Sequence, residues 1–171
     1  MPSATLISRA VPTATLRPAL RLADLAKRVA TRLDGLAPIA DLAVRLFVAN
    51  IFFESGLSKL ASWSSTVSLF ENEYAVPLLP PEAAAFLGTG IELFFPVLLA
   101  LGLGSRFAAF ALFLFNIVAV ISYPDLGTAG LTQHVTWGLL LLVALLHGPG
   151  PLSLDRLLDR LLGRREFGAA R

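Results

Sequence analysis

The chain has 171 residues, 56% of them hydrophobic and 15% charged, with a mean hydropathy of +0.73. That is more apolar surface than a soluble core of this size needs, and it points to a membrane protein. The formal charge is only +2, with the basic residues gathered toward the chain ends, which argues against a continuous phosphate-binding face and so against nucleic-acid binding. Cysteine is absent, which excludes disulfide scaffolding, thiolate metal sites and thiol exchange by this chain itself.

In chain order, residues 1–15 are rich in Ser, Thr, Ala and Pro and are expected to be disordered. From Leu22, the apolar residues Leu25, Val29, Leu33 and Leu36 recur at spacings of three and four, with Arg21, Arg28 and Arg32 on other faces. Such a pattern predicts an amphipathic helix, either lying on the inner membrane surface or packed under the rest of the chain. No apolar stretch precedes a small-residue cleavage site, so the first span is expected to act as an uncleaved signal anchor. Four stretches near 42–61, 83–103, 106–123 and 131–147 are long enough to cross a hydrocarbon core, which takes about 20 helical residues. Four such stretches in succession predict an all-α, polytopic protein: a bundle of four transmembrane helices. After the fourth, "HGPGP" from His147 ends the helix, and Ser153 is placed to cap a short one striped by Leu154, Leu157, Leu158, Leu161 and Leu162. The expected organisation is a basic arm over 1–37, a membrane domain over 38–150 and a second amphipathic segment over 151–171.

Orientation follows from the basic residues. Arg9, Arg17, Arg21, Lys27, Arg28 and Arg32 precede the first span, Arg106 lies in the second connection, and five arginines lie in the tail. The other two connections carry acidic residues and no basic ones. Positively charged segments resist translocation, so both termini and the second connection are expected on the cytoplasmic side.

The stretch "RLFVANIFFESGLSKL", Arg45–Leu60, places ionisable groups inside a span. At the bilayer centre such a group costs on the order of 3 kcal/mol, so it should face the bundle interior and find a partner. A rise of about 1.5 Å per residue puts Asn50, Glu54, Glu92 and Asn116 near mid-membrane, His134 and Gln133 further out, and Lys59 beyond them. These groups are expected to form one polar site opening to the extracytoplasmic side, above an inner half that is nearly all apolar. Asn50 and Glu54, four apart, share a face, whereas Arg45 lies about 180° and Lys59 about 140° around from Glu54. Arg45 and Lys59 are therefore expected to bracket the span at its two interfaces. Glu54 and Glu92 then need a cation from another helix, or one of them must carry a proton.

Asn50 and Asn116 are read as hydrogen-bonding glue between helices, and His134 either as a helix-end packing residue or as a metal or proton ligand. Trp63 and Tyr74 are read as interface anchors, Trp137 as packing in the bundle, and Gly56, Gly88, Gly90 and Gly102 as points of close helix contact. Pro96, one turn after Glu92, should kink its helix and free a backbone carbonyl facing the site.

Arg45, Phe52 or Phe53 and "SGLSKL" from Ser55 resemble the first-helix signature of the DoxX family of small bacterial membrane proteins. "GIELFFPVLLALGLGSRFAA" is similar to that family's intramembrane glutamate, apolar run, Leu-Gly turn and arginine, at Glu92 and Arg106 here, and "HVTWGLLLLVALLHGPGPLSLDRLL" to the fourth helix and tail of one subgroup. The resemblance spans roughly residues 40–160. It implies a four-helix bundle in the bacterial inner membrane. The first functional reading is an accessory rather than catalytic subunit of a redox-linked membrane complex, docking a membrane or soluble redox enzyme and admitting a quinone beside Glu54 and Glu92, since an apolar cavity with a few polar groups suits a quinone headgroup. Other readings are a small-solute or metal-handling protein, with no metal-ligand spacing to support it, and a structural scaffold. Any thiol chemistry would belong to a partner, and His134 and His147 are too few for haem ligation.

Overall fold

The computed structural model describes residues 13–163, with side chains from Arg21 onward; the expectations for residues 1–12 and 164–171 lie outside the described residues. Among the described residues there are seven helices and no strand. By internal contacts the chain divides at Ala37/Pro38 into two units. The first holds α1 (Thr13–Asp34), whose Leu22, Leu25, Val29 and Leu33 are all exposed. The second holds α2 (Ala37–Ala61), α3 (Trp63–Asn72), α4 (Pro81–Leu101), α5 (Ser105–Ser122), α6 (Gly127–His147) and α7 (Leu154–Leu161).

The helices α4, α5 and α6 are each long and apolar enough to cross a membrane. The more heavily charged α2 reaches that measure only when taken with Arg21–Asp34 before it, so the described residues hold three or four candidate spans. The core is built from small and branched side chains with one aromatic ring: Val48, Ala49 and Phe52 of α2, Leu99 of α4, Ala108, Ala109 and Leu112 of α5, and Leu141 and Ala144 of α6. Small residues let helix backbones approach, which is how helices associate when lipid is as apolar as leucine. Gly56 is such a point, since a Cβ there would lie 2.9 Å from the Leu93 side chain, whereas a Cβ at Gly88 would meet Phe70 and Phe115 at an ordinary contact distance of 3.6 Å. Gly90 instead faces open space, contrary to the close contact expected of it.

α3 lies within the connection between α2 and α4. It is held by Thr66, whose hydroxyl donates to the carbonyls of Lys59 (2.8 Å) and Ser62 (3.1 Å), and by Phe70, which is buried with Ala84 and Ala85 of α4. α4 runs unbroken through Pro96. Because proline has no N–H, the carbonyl released is that of residue i−4, Glu92 itself.

The far end of this unit is tied by polar contacts rather than left apolar. Arg45, only 1% exposed, donates from Nη2 to the Leu152 carbonyl at 2.6 Å, so it does not reach out to the interface as its position suggested. Asp41 and Asp155 are the carboxylates acting on its charge. Gly102 ends α4 with φ of +71°, and a Cβ there would crowd Arg45 Nη1 and fall 2.9 Å from the Ser153 Cα, so both conformation and space require glycine. Asp155 accepts from the backbone N–H groups of Gly104 (2.9 Å) and Ser105 (3.3 Å), capping α5 from a residue far along the chain. Ser153 caps α7 by accepting from Arg156 N at 3.2 Å, in the manner its position suggested. His147 Nδ1 meets Asp41 Oδ1 at 2.9 Å. Arg106, exposed in the first turn of α5, lies against Gly148.

Candidate functional site

On the face of α4 toward α2, Glu92 is 5% exposed. Its Oε2 accepts from Lys59 Nζ at 2.5 Å, its Oε1 accepts from Ser55 Oγ at 3.1 Å, and Lys59 also donates to Ser55 Oγ at 2.9 Å. The cation expected from another helix is therefore Lys59 of α2. Ser55 and Lys59 are four apart and share a helix face, and the lysine stem is long enough to turn its ammonium inward rather than toward the outer interface. The three groups close a triangle in which both carboxylate oxygens have donors, the condition for holding a charge out of water.

This triangle forms part of the wall of a cavity of about 560 Å³. The remaining wall is largely apolar and aromatic, with Phe52, Phe70, Phe115 and Trp137 prominent, and its polar members besides the triangle are Tyr74, Ser122, Tyr123 and His134. Phe52 meets Phe115 and Trp137 edge-on, at centroid distances of 6.4 and 6.1 Å. Tyr74 stands between Phe70 (4.8 Å) and Tyr123 (5.0 Å), so it lines the cavity instead of serving only as an interface anchor. Burial, with the Glu92 carboxylate adding to it, pushes the Tyr74 phenol above its ordinary value, so at neutral pH this hydroxyl keeps its proton. The Ser122 hydroxyl is buried and makes no hydrogen bond, an uncompensated group on the cavity's lining.

Asn116 and His134 are brought together on the α5–α6 side. Asn116 Nδ2 donates to the His134 carbonyl at 2.9 Å, which turns Oδ1 to His134 Nδ1 at 2.8 Å. With an acceptor opposite it, Nδ1 must carry the proton, leaving Nε2 as the ring's other nitrogen. The pair works as a clip between two helices, and the imidazole is further held edge-on by Trp137 at 4.8 Å.

Asn50 and Glu54 are elsewhere. The buried stripe of α2 is Arg45, Val48, Ala49, Phe52 and Gly56, and residues 50 and 54 each lie about 200° around the helix from Phe52. Both are exposed, so the single polar site expected from four segments reduces to Glu92 with Lys59, and His134 with Asn116. Sequence reasoning missed Ser55, which its i−4 relation to Lys59 signals, and Ser122 and Tyr123, for which no local signal exists.

A family model, DoxX, matches residues 40–124. A protein of Haemophilus influenzae described only as an uncharacterized protein is 33% identical over 129 residues, covering 70% of this chain and 83% of that one. The chain belongs to the DoxX family. The matched region contains Lys59, Glu92 and Asn116 and stops short of α6. No solved structure matches the chain.

Proposed function

We propose that this DoxX protein is a four-span protein of the bacterial inner membrane, serving as an accessory subunit of a redox-linked membrane complex, and that its cavity takes the headgroup of a lipid-soluble ligand of the quinone type. The observation that carries this reading is the Lys59–Ser55–Glu92 triangle set into an otherwise aromatic wall. Small-molecule sites are commonly apolar clefts of roughly 300–1,000 Å³ with a few fixed polar groups, and a cavity of about 560 Å³ with this lining is of that kind.

In the four-span arrangement α2 crosses with its two buried charges internally paired or covered. The distribution of basic residues supports cytoplasmic termini, and with them the Lys59 end of α2 and the α3 cover face the outer side. The leucine face of α7 then rests in the inner interface.

The fit to a quinone rests on the donor set. A ring carbonyl accepts hydrogen bonds and its flat body packs against aromatic rings. Lys59 has three ammonium protons, two of them given to Ser55 and Glu92, so one remains. The unpartnered Ser122 hydroxyl and the protonated Tyr74 phenol supply further donors. A bound quinone would supply two-electron, two-proton chemistry. The chain's own part is to orient the ring between Phe52, Phe115 and Trp137, and to hold a proton on Lys59 within reach of the Glu92 carboxylate. The metal reading has less support, because Glu54 faces outward while Glu92 and His134 are each engaged by a neighbouring side chain.

Trp137 gives the test. With Trp63 replaced by Phe, Trp137 is the sole tryptophan, and a short-tailed ubiquinone analogue titrated into the detergent-solubilised protein should quench it saturably. Glu92→Gln should raise the dissociation constant at least tenfold. Quenching that stays linear with concentration in the Trp63→Phe protein contradicts the quinone reading.

A further inference from the structure

Glu54 and Asn50 are the unresolved element of this architecture. Along α2 the exposed positions Phe47, Asn50, Glu54 and Ser58 fall on one stripe, opposite the buried Val48, Phe52 and Gly56. Exposed faces elsewhere on the candidate spans are apolar, with Phe86, Phe94 and Val97 on α4 and Phe107, Phe110 and Ile117 on α5. On α6, Thr132 and Thr136 return their hydroxyls to their own helix backbone, leaving Gln133 in the second turn. Glu54 is thus the ionisable side chain that the described spans turn outward in mid-helix. Facing lipid it would cost on the order of 3 kcal/mol, and Asn50 one turn away would add its own unsatisfied amide.

We infer that this stripe of α2 is the interface of a parallel homodimer. The inference rests on α2 being a span. A second copy is the occupant because the stripe complements itself. Asn50 carries both donors and an acceptor, and Glu54 offers acceptors. A two-fold axis along the membrane normal sets equal residues at equal depth. Helical side chains lean toward the N-terminus, so the longer Glu54 hangs back toward the level of Asn50 of the partner subunit, whose amide N–H groups can donate to it. Leu46 and Leu57, both about half exposed, flank the stripe and supply apolar contact beside it. Polar side chains joining spans in this way are a general mode of helix association in membranes.

The cysteine-free chain makes the test direct, since a single introduced thiol can pair only with that of a second copy. The full-length Phe47→Cys and Ser58→Cys proteins, each reconstituted in liposomes at low protein density, are oxidised with copper phenanthroline and run on non-reducing gels. Both should give a disulfide-linked dimer, because like positions meet across the axis within the roughly 7 Å Cα separation a disulfide spans. Val97→Cys and Phe110→Cys, on apolar faces, should stay monomeric. Adding Asn50→Leu and Glu54→Leu to Phe47→Cys should cut the dimer at least tenfold without disturbing the buried face. Equal cross-linking at all four positions, none at either stripe position, or a dimer that survives the leucine pair overturns the interface. Labelling of the Phe47→Cys thiol by a membrane-impermeant maleimide separates the two ways of failing. A freely labelled thiol removes the span and the interface together, whereas a shielded thiol that does not cross-link removes the interface alone.

Discussion

At the scale of single residues, the Lys59–Glu92 pair decides whether a charge can sit inside this chain. Both side chains are mostly buried, 16% and 6% exposed, so losing either partner leaves the other charge in a largely dry setting without its counter-ion. Lys59→Met or Glu92→Leu alone should therefore destabilise the fold by about 3–5 kcal/mol, while the double replacement should cost less than either single change. Thermal unfolding of the four proteins in mild detergent checks this, and strictly additive losses would contradict it. Glu92 was legible in the sequence as a glutamate deep in an apolar run. Its partner was not, because helical angles from Glu54 placed Lys59 on another face and said nothing of α4 across the gap. Asn50 and Glu54 were misjudged for a related reason: a shared helix face can be read from spacing, but which way that face points depends on the stripe formed by Val48, Phe52 and Gly56.

At the scale of elements, the helices over the four apolar stretches follow from length and hydropathy, and their ends from glycine and proline. What the sequence hid were features made by contacts between distant segments. α3 is a short polar helix whose sense comes from Thr66 reaching back to Lys59 and from Phe70 packing on α4. Arg45 looks interfacial by position, yet it is buried and donates a hydrogen bond to the Leu152 carbonyl in the turn after α6. The cap on α5 is likewise remote, supplied by Asp155. Asp155→Ala should leave the Gly104 and Ser105 amides unpartnered and lower stability by about 0.5–2 kcal/mol. Hydrogen exchange read by mass spectrometry should then show faster exchange at the start of α5 with α4 unchanged. Unaltered exchange at residues 104 and 105 would mean that the carboxylate is not the cap.

At the scale of the whole molecule, the second unit combines a bundle whose core is made of small side chains with one cavity that breaks the apolar rule. Core packing of Ala108, Ala109, Leu112 and Leu141 brings the helices together, and the larger rings of Phe52, Phe70, Phe115 and Trp137 hold a space open beside the ion pair. The central proposal is that this space exists for a lipid-soluble redox ligand delivered to, or drawn from, a partner enzyme. It is tested most directly by gentle extraction of the protein from its native membrane, with quinone and co-purifying proteins quantified by mass spectrometry in the same sample. Wild type should carry quinone near one per chain together with a redox enzyme, and Glu92→Gln should carry less than a tenth of that quinone. Wild-type protein holding no more quinone than an unrelated membrane protein of similar size, extracted alongside it, would contradict the proposal.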